Sequence, residues 1–355
     1  MKVGIVGVPN AGKSSLFNAL TRAGAQVAVY PFTTVEPNVA IVPVPDERLE
    51  RVAEVVGASP VVPQTIEFRD IAGLVRGAHR GEGLGNQFLS HIREVDALVH
   101  LVRAYDDPQV PHPEGRVDPI GDVEAVEAEL LLADLEQAER RLERVTREAR
   151  SGAKEAIAEE RWLRDLVEAL SAGRAAASVP APEEAPAALA NLQPLTAKPV
   201  LYVANVAEGE PLEPPAVLAE RGQATAVSAR LEAELAELEP EEAAAMREEL
   251  GLDDSGLTRV VREAFALLHL VTFFTAHQGA EARARAVPRG TSARRAAGAV
   301  HTDMERGFVA AEVVPWQALV EAGGYPAVRE RALLRTEGRD YVVRDGDVIT
   351  FRFNR

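Results

Sequence analysis

Apolar positions fall in short runs near the start of the chain and at helical spacing in its middle. Residues 2–7 are an apolar run that ends on a glycine loop. Ser15, Leu16, Phe17, Ala19 and Leu20 then open an amphipathic helix, giving strand, loop and helix in succession. Further strands are expected at Asn38 to Val42, Thr65 to Phe68, Ala97 to Val102, Pro199 to Ala204 and Ala224 to Val227. Strands alternating with helical segments imply an α/β fold, a mainly parallel sheet covered on both faces.

Between the strand near Arg103 and the strand near Val200 the pattern changes. Leu131, Leu135, Ala138, Leu142, Val145 and Ala149 alternate spacings of four and three, the signature of a coiled-coil seam within a helix from Asp122 to Arg150. Ser151-Gly152 breaks it. A second helix, Ala153 to Ala172, carries Ala156, Leu163, Leu166 and Leu170. The expectation is an antiparallel helical hairpin inserted into the sheet domain. The Pro/Ala/Glu-rich stretch Ser178 to Ala190 returns the chain as loop or short helix. Residues 231–254 read as solvated helix, and the apolar run Ala264 to Phe274 as a buried helix too short to span a bilayer. Asp340 to Phe353 reads as strand, an Arg344-Asp345-Gly346-Asp347 turn, and strand. The domains expected are the parallel-sheet domain that carries the glycine loop (1–120 and 195–275), the hairpin (121–194) and a small α+β domain (276–355).

Composition narrows the chemistry. Cysteine is absent among the 355 residues, which excludes disulfides, thiolate metal sites and a cysteine nucleophile, and suits a cytoplasmic protein. No membrane association is expected. A net charge of −16 opposes nucleic-acid binding over the whole surface, so any RNA contact needs a local basic patch. The densest one comprises Arg283, Arg285, Arg289, Arg294, Arg295 and Arg306.

The glycine loop carries the strongest signal. Gly7-Val8-Pro9-Asn10-Ala11-Gly12-Lys13-Ser14 matches G-x-x-x-x-G-K-S in full. Its glycines let backbone N–H groups curl around phosphate oxygens, and the following helix offers its N-terminus to the anion. Asn10, Ala11, Gly12, Lys13, Ser14 and Ser15 are therefore nucleotide-binding candidates, with Lys13 on the β and γ phosphates and Ser14 on Mg²⁺. Asp70-Ile71-Ala72-Gly73 follows a strand. Asp70 is a candidate Mg²⁺ ligand, and the Gly73 N–H a donor to the γ-phosphate. Thr34 is the candidate second hydroxyl ligand of Mg²⁺. Asn10 could also help hold K⁺.

The base site departs from the GTPase pattern Asn-Lys-x-Asp. Here the strand ends in Asn205-Val206-Ala207-Glu208, with no Lys and a longer acid. Asn205, donor and acceptor at once, could serve the N6 and N7 edge of adenine. Val206, Glu208, Ser228 and Ala229 complete the expected base site. ATP is thus a substrate candidate beside GTP. Leu74 stands where Ras-type GTPases place a water-orienting Gln, so another group must act. His112, in the loop Pro108 to Pro119, is the candidate.

These residues together resemble the Obg-like ATPase, or YchF, family. Gly4 to Ser15 is similar to its phosphate loop, Tyr30 to Asn38 to its first switch, and Asp70 to Val75 with Gly81 to Asn86 to its second. Asn205-Val206-Ala207-Glu208 is similar to its N-x-x-E signature. Ala297 to Asp303 and Glu337 to Asp347 are similar to its C-terminal TGS domain. The chain departs from the family at Arg283-Ala284-Arg285-Ala286, where a Trp-containing segment is usual. The resemblance implies a P-loop fold, an inserted coiled-coil hairpin and a β-grasp (TGS) domain. It also implies hydrolysis of ATP at least as readily as GTP, association with ribosomes through rRNA or ribosomal protein, and a histidine at position 112 assisting hydrolysis. A monomer is expected. The alternatives are a GTP-specific switch of the same fold and a nucleotide-gated scaffold with incidental hydrolysis.

Overall fold

The computed structural model describes residues 1–27, 38–71, 84–252 and 255–354. Its strands, in chain order, are β1 (Lys2–Val6), β2 (Val39–Pro43), β3 (Val61–Val62), β4 (Thr65–Asp70), β5 (Ala97–Arg103), β6 (Val200–Asn205), β7 (Ala224–Val227), β8 (Leu270–Ala276), β9 (Ala282–Pro288), β10 (Phe308–Pro315), β11 (Arg335–Glu337) and β12 (Asp347–Phe353). They make two sheets of six, ordered β2-β4-β1-β5-β6-β7 and β11-β10-β12-β8-β9-β3.

In the first sheet β4, β1, β5, β6 and β7 run parallel. β5 is buried at every position, as a central strand covered on both faces must be. In register, Val6 of β1 faces His100 of β5, and Arg103 of β5 faces Asn205 of β6. The carboxyl ends of the parallel strands, where α/β folds bind ligands, therefore lie together.

The hairpin forms as its heptads require. Its first arm, Pro119–Ala149, is capped by Asp118, which accepts from the Gly121 N–H, and starts with Pro at its first position. The second arm is Lys154–Ser171. Ala138, Val145, Leu163, Leu166 and Leu170 are buried in the seam, and Leu131, Leu135 and Leu142 pack against them. Arg141 pairs with both carboxylate oxygens of Glu159 across the arms (2.8 and 3.1 Å). Asp134, 1% exposed, fastens the return segment by accepting from the N–H groups of Leu195 and Thr196 and from the Thr196 hydroxyl.

The chain divides into two compact units, Met1–Val42 with Glu67–Leu267, and Pro43–Ile66 with Leu268–Arg355. The sequence pattern places 43–66 in the sheet domain of the glycine loop and starts the last domain at 276. The difference has a plain cause. The helix Glu47–Val56, capped by Asp46 and ended by Gly57 at φ 68°, buries Leu49, Val52, Ala53 and Val56 in the core of the second sheet. β3 pairs with β9 of the same sheet, and β8 begins at Leu270.

Two further expectations fail. Ala264 to Phe274 is not one helix: the helix Gly256–Ala266 stops, His269 takes φ 48°, and the run continues as β8. Apolar residues that are buried on all sides show no period, so the break was hidden. Asp340 to Phe353 is not a hairpin of two strands. Its first half makes one bridge, Val342 to Ser292, and only the second half is a strand, β12. Among the described residues no helix is long and apolar enough to cross a membrane.

Candidate nucleotide site

The glycine loop connects β1 to the helix Lys13–Val27. A side chain at Gly7 would bring its Cβ to 2.4 Å from the Leu101 carbonyl oxygen of the neighbouring strand. At Gly12 the backbone has φ 96°, and a Cβ would meet the Asn205 carboxamide at 2.3 Å. Both positions thus need glycine, for close approach and for conformation. Asn10 takes φ 65°, which asparagine tolerates better than most residues, and its Nδ2 donates to the Pro111 carbonyl at 3.0 Å.

Lys13 is 9% exposed. Its Nζ donates to the carbonyls of Gly7 (3.0 Å) and Val8 (2.8 Å), which hold it over the loop with one N–H left for an anion. Burial pushes its pKa down, and the Asp70 carboxylate opposes that shift. Asp70 ends β4 with Oδ1 buried and without a partner. Burial raises its pKa, while Lys13 pulls it back. A buried carboxylate oxygen lacking a donor, together with the exposed Ser14 at the helix start, fits a hard divalent cation that keeps most of its own water. Among the described residues no group of three His, Asp or Glu could enclose a metal. Thr34, Gly73 and Leu74 lie outside the described residues.

Asn205 is 3% exposed and joins two loops. Its Nδ2 donates to the Ala11 carbonyl (2.9 Å), and its Oδ1 accepts from the Ala229 N–H (3.0 Å). This revises the expected role. Oδ1 is turned to backbone, so the carboxamide does not offer a donor and acceptor pair to adenine. One N–H remains, suited to an acceptor such as N7. Val206 is buried and donates its N–H to the Val227 carbonyl. Glu208 is exposed, and Arg230, itself paired with Glu234, lies within its field. Ser228 is 2% exposed with its hydroxyl unpartnered.

His112 is not an exposed loop residue. Its side chain is 4% exposed, with Nε2 3.0 Å from Asp122 Oδ2. Its Nδ1 accepts from the Glu114 N–H at 3.2 Å. It lines a cavity of about 470 Å³ together with Val8 and Pro9 of the glycine loop, Glu114, Arg116 and Asp122. Arg103, wholly buried, shapes the preceding loop by donating to the carbonyls of Tyr105, Asp107 and Val110. Its guanidinium also lies over the Tyr105 ring.

The sequence reading missed Arg103, Asp122 and His100. Arg103 had a signal, a charge closing a run of six apolar-compatible positions in β5. His100 had none. It is buried between strands against Tyr202, and burial, with Lys13 adding to it, pushes its pKa down to about 3.

A glycine loop closed on a buried lysine, a carboxylate at the end of β4 and a base-side clamp at β6 define a P-loop nucleotide hydrolase. Comparisons with known proteins agree and refine this. Residues 2–144 match the family model MMR_HSR1, described as a 50S ribosome-binding GTPase. Residues 270–354 match YchF-GTPase_C, described as a protein of unknown function (DUF933). The "Ribosome-binding ATPase YchF" of Bacillus subtilis is 47% identical over 364 residues, covering 100% of this chain and 99% of that protein. Its namesake from Haemophilus influenzae is 44% identical over 360 residues, covering 99% of each. The solved Schizosaccharomyces pombe YchF GTPase superposes with a TM-score of 0.87 at 32% identity, covering 99% of this chain and 97% of that one. This chain belongs to the YchF family. The family implies a nucleotide substrate, and typically Mg²⁺ with it.

Proposed function

We propose that this protein hydrolyses ATP in preference to GTP and acts as a nucleotide-dependent switch on the ribosome in the cytoplasm, as a monomer. The observation that carries the preference is the state of the base site. Guanine selectivity needs a carboxylate accepting two hydrogen bonds from the purine edge. Here the acid is the longer Glu208, exposed to solvent, with no lysine to pack on the base. The free N–H of Asn205 suits N7, which both purines have, and the Ala229 N–H is given to Asn205 Oδ1, so the choice is left to Glu208 and Ser228.

In this reading Lys13 and the loop N–H groups hold the phosphates. Ser14 and Asp70, with Thr34, would hold Mg²⁺, which neutralises charge on the transferred phosphoryl group. Gly73 donates to the γ-phosphate, and His112 assists the attacking water. Asn10 retains its Oδ1 as an oxygen ligand for K⁺, its Nδ2 being spent on Pro111. Equal rates in K⁺ and Na⁺ would remove that role.

The ribosome comes to this chain from its relatives' names and from the arginines. Arg289, Arg294, Arg295 and Arg306 are exposed, whereas Arg283 is paired with Glu281. A salt titration of ribosome binding by Arg294→Ala and Arg295→Ala tests RNA contact: a shallower slope is expected, and an unchanged slope argues against it.

The deciding experiment is steady-state hydrolysis and direct binding of ATP and GTP, for the natural chain and for Val206→Lys/Glu208→Asp. ATP is expected to win in the first, and the double change to move selectivity towards GTP by roughly tenfold or more, the worth of one bidentate pair. A natural preference for GTP would overturn the reading and make this a GTP-specific switch.

A further inference from the structure

The hydrogen bonds of His112 decide what its ring can do. Because Nδ1 accepts from the Glu114 N–H, the ring proton sits on Nε2, and Nε2 donates it to Asp122. A neutral imidazole has one lone pair, and here it is spent on backbone. While both bonds last, the ring has no site at which to accept a proton from water. The loop is fixed on either side as well. Arg103 holds its first half, and Asn10 of the glycine loop holds Pro111. Asp122 belongs to a different element, the first turns of the long hairpin arm Pro119–Ala149.

We infer that Asp122 is a positioning residue for His112, holding the imidazole in a resting orientation from which it must be released before it can assist hydrolysis. The inference rests on the proposal that His112 acts on the attacking water. Release needs two bonds to part, Nε2–H from the Asp122 carboxylate and the Nδ1 lone pair from the Glu114 N–H, and the charge-assisted bond to Asp122 is the stronger of the two. Among the described residues the ring's hydrogen bonds go to Asp122 and to the Glu114 N–H. The glycine loop contributes only Val8 and Pro9 to the shared cavity, and Glu114, Arg116 and Asp118 are the charged groups that line it with Asp122. Burial raises the Asp122 pKa, the bond to His112 lowers it, and the nearby Asp118 and Glu114 carboxylates raise it further. The contact is a single 3.0 Å bond between the loop and the hairpin's first turns, so movement of one against the other would part it.

The test combines kinetics with ¹⁵N spectra of the histidine rings in the full chain. In the natural protein His112 is expected to show one neutral tautomer with the proton on Nε2; averaging between tautomers would overturn the inference. Asp122→Ala should free the ring, seen as averaged ring ¹⁵N shifts. It should raise kcat with little change in KM, by roughly tenfold, a part of the 10²–10⁴ that a fully engaged acid–base group supplies. Asp122→Asn keeps an acceptor for Nε2–H and should stay within about twofold of the natural rate, since the neutral bond is weaker but still formed. In Asp122→Ala/His112→Ala the gain should vanish. If Asp122→Ala lowers kcat, or leaves His112 in its single tautomer, the inference fails. If the ring is freed and the rate is the same with and without His112, the positioning stands and the catalytic proposal for His112 falls instead.

Discussion

The two six-stranded sheets handle polar groups in opposite ways. In the first, five parallel strands bring their carboxyl ends to one side, and the polar residues there are left partly unspent. Asp70 and Ser228 each keep a buried oxygen without a partner, and Lys13 keeps an N–H. In the second, strands of mixed direction scatter their ends, and Asp345, Asp347, Gln64 and Tyr325 answer the protein's own backbone, although Arg283 Nε on β9 is buried without a partner. Asp345 accepts from the Thr272 N–H (2.8 Å) and Asp347 from the Arg344 N–H (2.9 Å) and the Tyr341 hydroxyl (2.7 Å). Gln64 accepts from the Ala286 N–H (3.1 Å), and Tyr325 donates to the Ala276 carbonyl (3.0 Å). Unspent hydrogen-bonding capacity costs stability, so it persists where a ligand completes it. The parallel sheet gathers its unspent groups at one edge, and the mixed sheet spends most of its own on backbone.

Substitutions can break this contrast. The largest expected effect is Lys13→Ala, which should lower kcat for nucleotide hydrolysis by ~10²–10³ through loss of a charge placed on the transferred group, with the melting temperature little changed. Full activity in that variant would refute the assignment of the parallel edge. Leu49→Ala should behave in the reverse manner. It empties a site 1% exposed in the second core and should cost about 2–5 kcal/mol of that unit's stability, while nucleotide affinity by titration stays within twofold. Asn205→Ala sits between the two. It leaves the Ala11 carbonyl and the Ala229 N–H buried without partners, costing about 2–3 kcal/mol, and nucleotide affinity should fall with stability. A drop in only one of them would show that its clamping and binding roles are separable.

The smallest effect sharpens the comparison through pH. His100 is neutral in the folded state, with its pKa pushed down to about 3, so between pH 3 and its ordinary range the unfolded chain binds the extra proton. Stability should therefore fall as pH drops through that window, by at most ~1.4 kcal/mol per pH unit from this group. Urea unfolding of His100→Leu should lose this component of the slope. An identical slope would show that other groups dominate.

Much of this was legible in the sequence, for reasons visible in single residues. The glycine loop was legible because Gly7, Gly12, Lys13 and Ser14 each answer a local demand of phosphate binding. The hairpin was legible because Leu163 and Leu170 repeat along one face. The six strands of the first sheet were bounded by turns and could be counted. What stayed hidden depends on long-range partners. Val52 and Ala53 look like any amphipathic helix, and nothing local says which sheet they cover. Asn205 was read for its chemistry alone, yet its groups are claimed by Ala11 and Ala229, distant in sequence. Asp122 resembled an ordinary first-turn acid until His112 met it. The run through His269 concealed a change from helix to strand because burial erased the period.

The second unit is made from two separated stretches of chain, Pro43–Ile66 and Leu268–Arg355, and this has a consequence in time. During synthesis the helix Glu47–Val56 leaves the ribosome long before the strands that cover Leu49 and Val52 exist. At ~5–20 residues per second, the intervening stretch of about two hundred residues takes roughly 10–40 s to make. For that interval an apolar helix face waits uncovered on a half-made protein, so this is the segment on which a chaperone or a premature contact would act first.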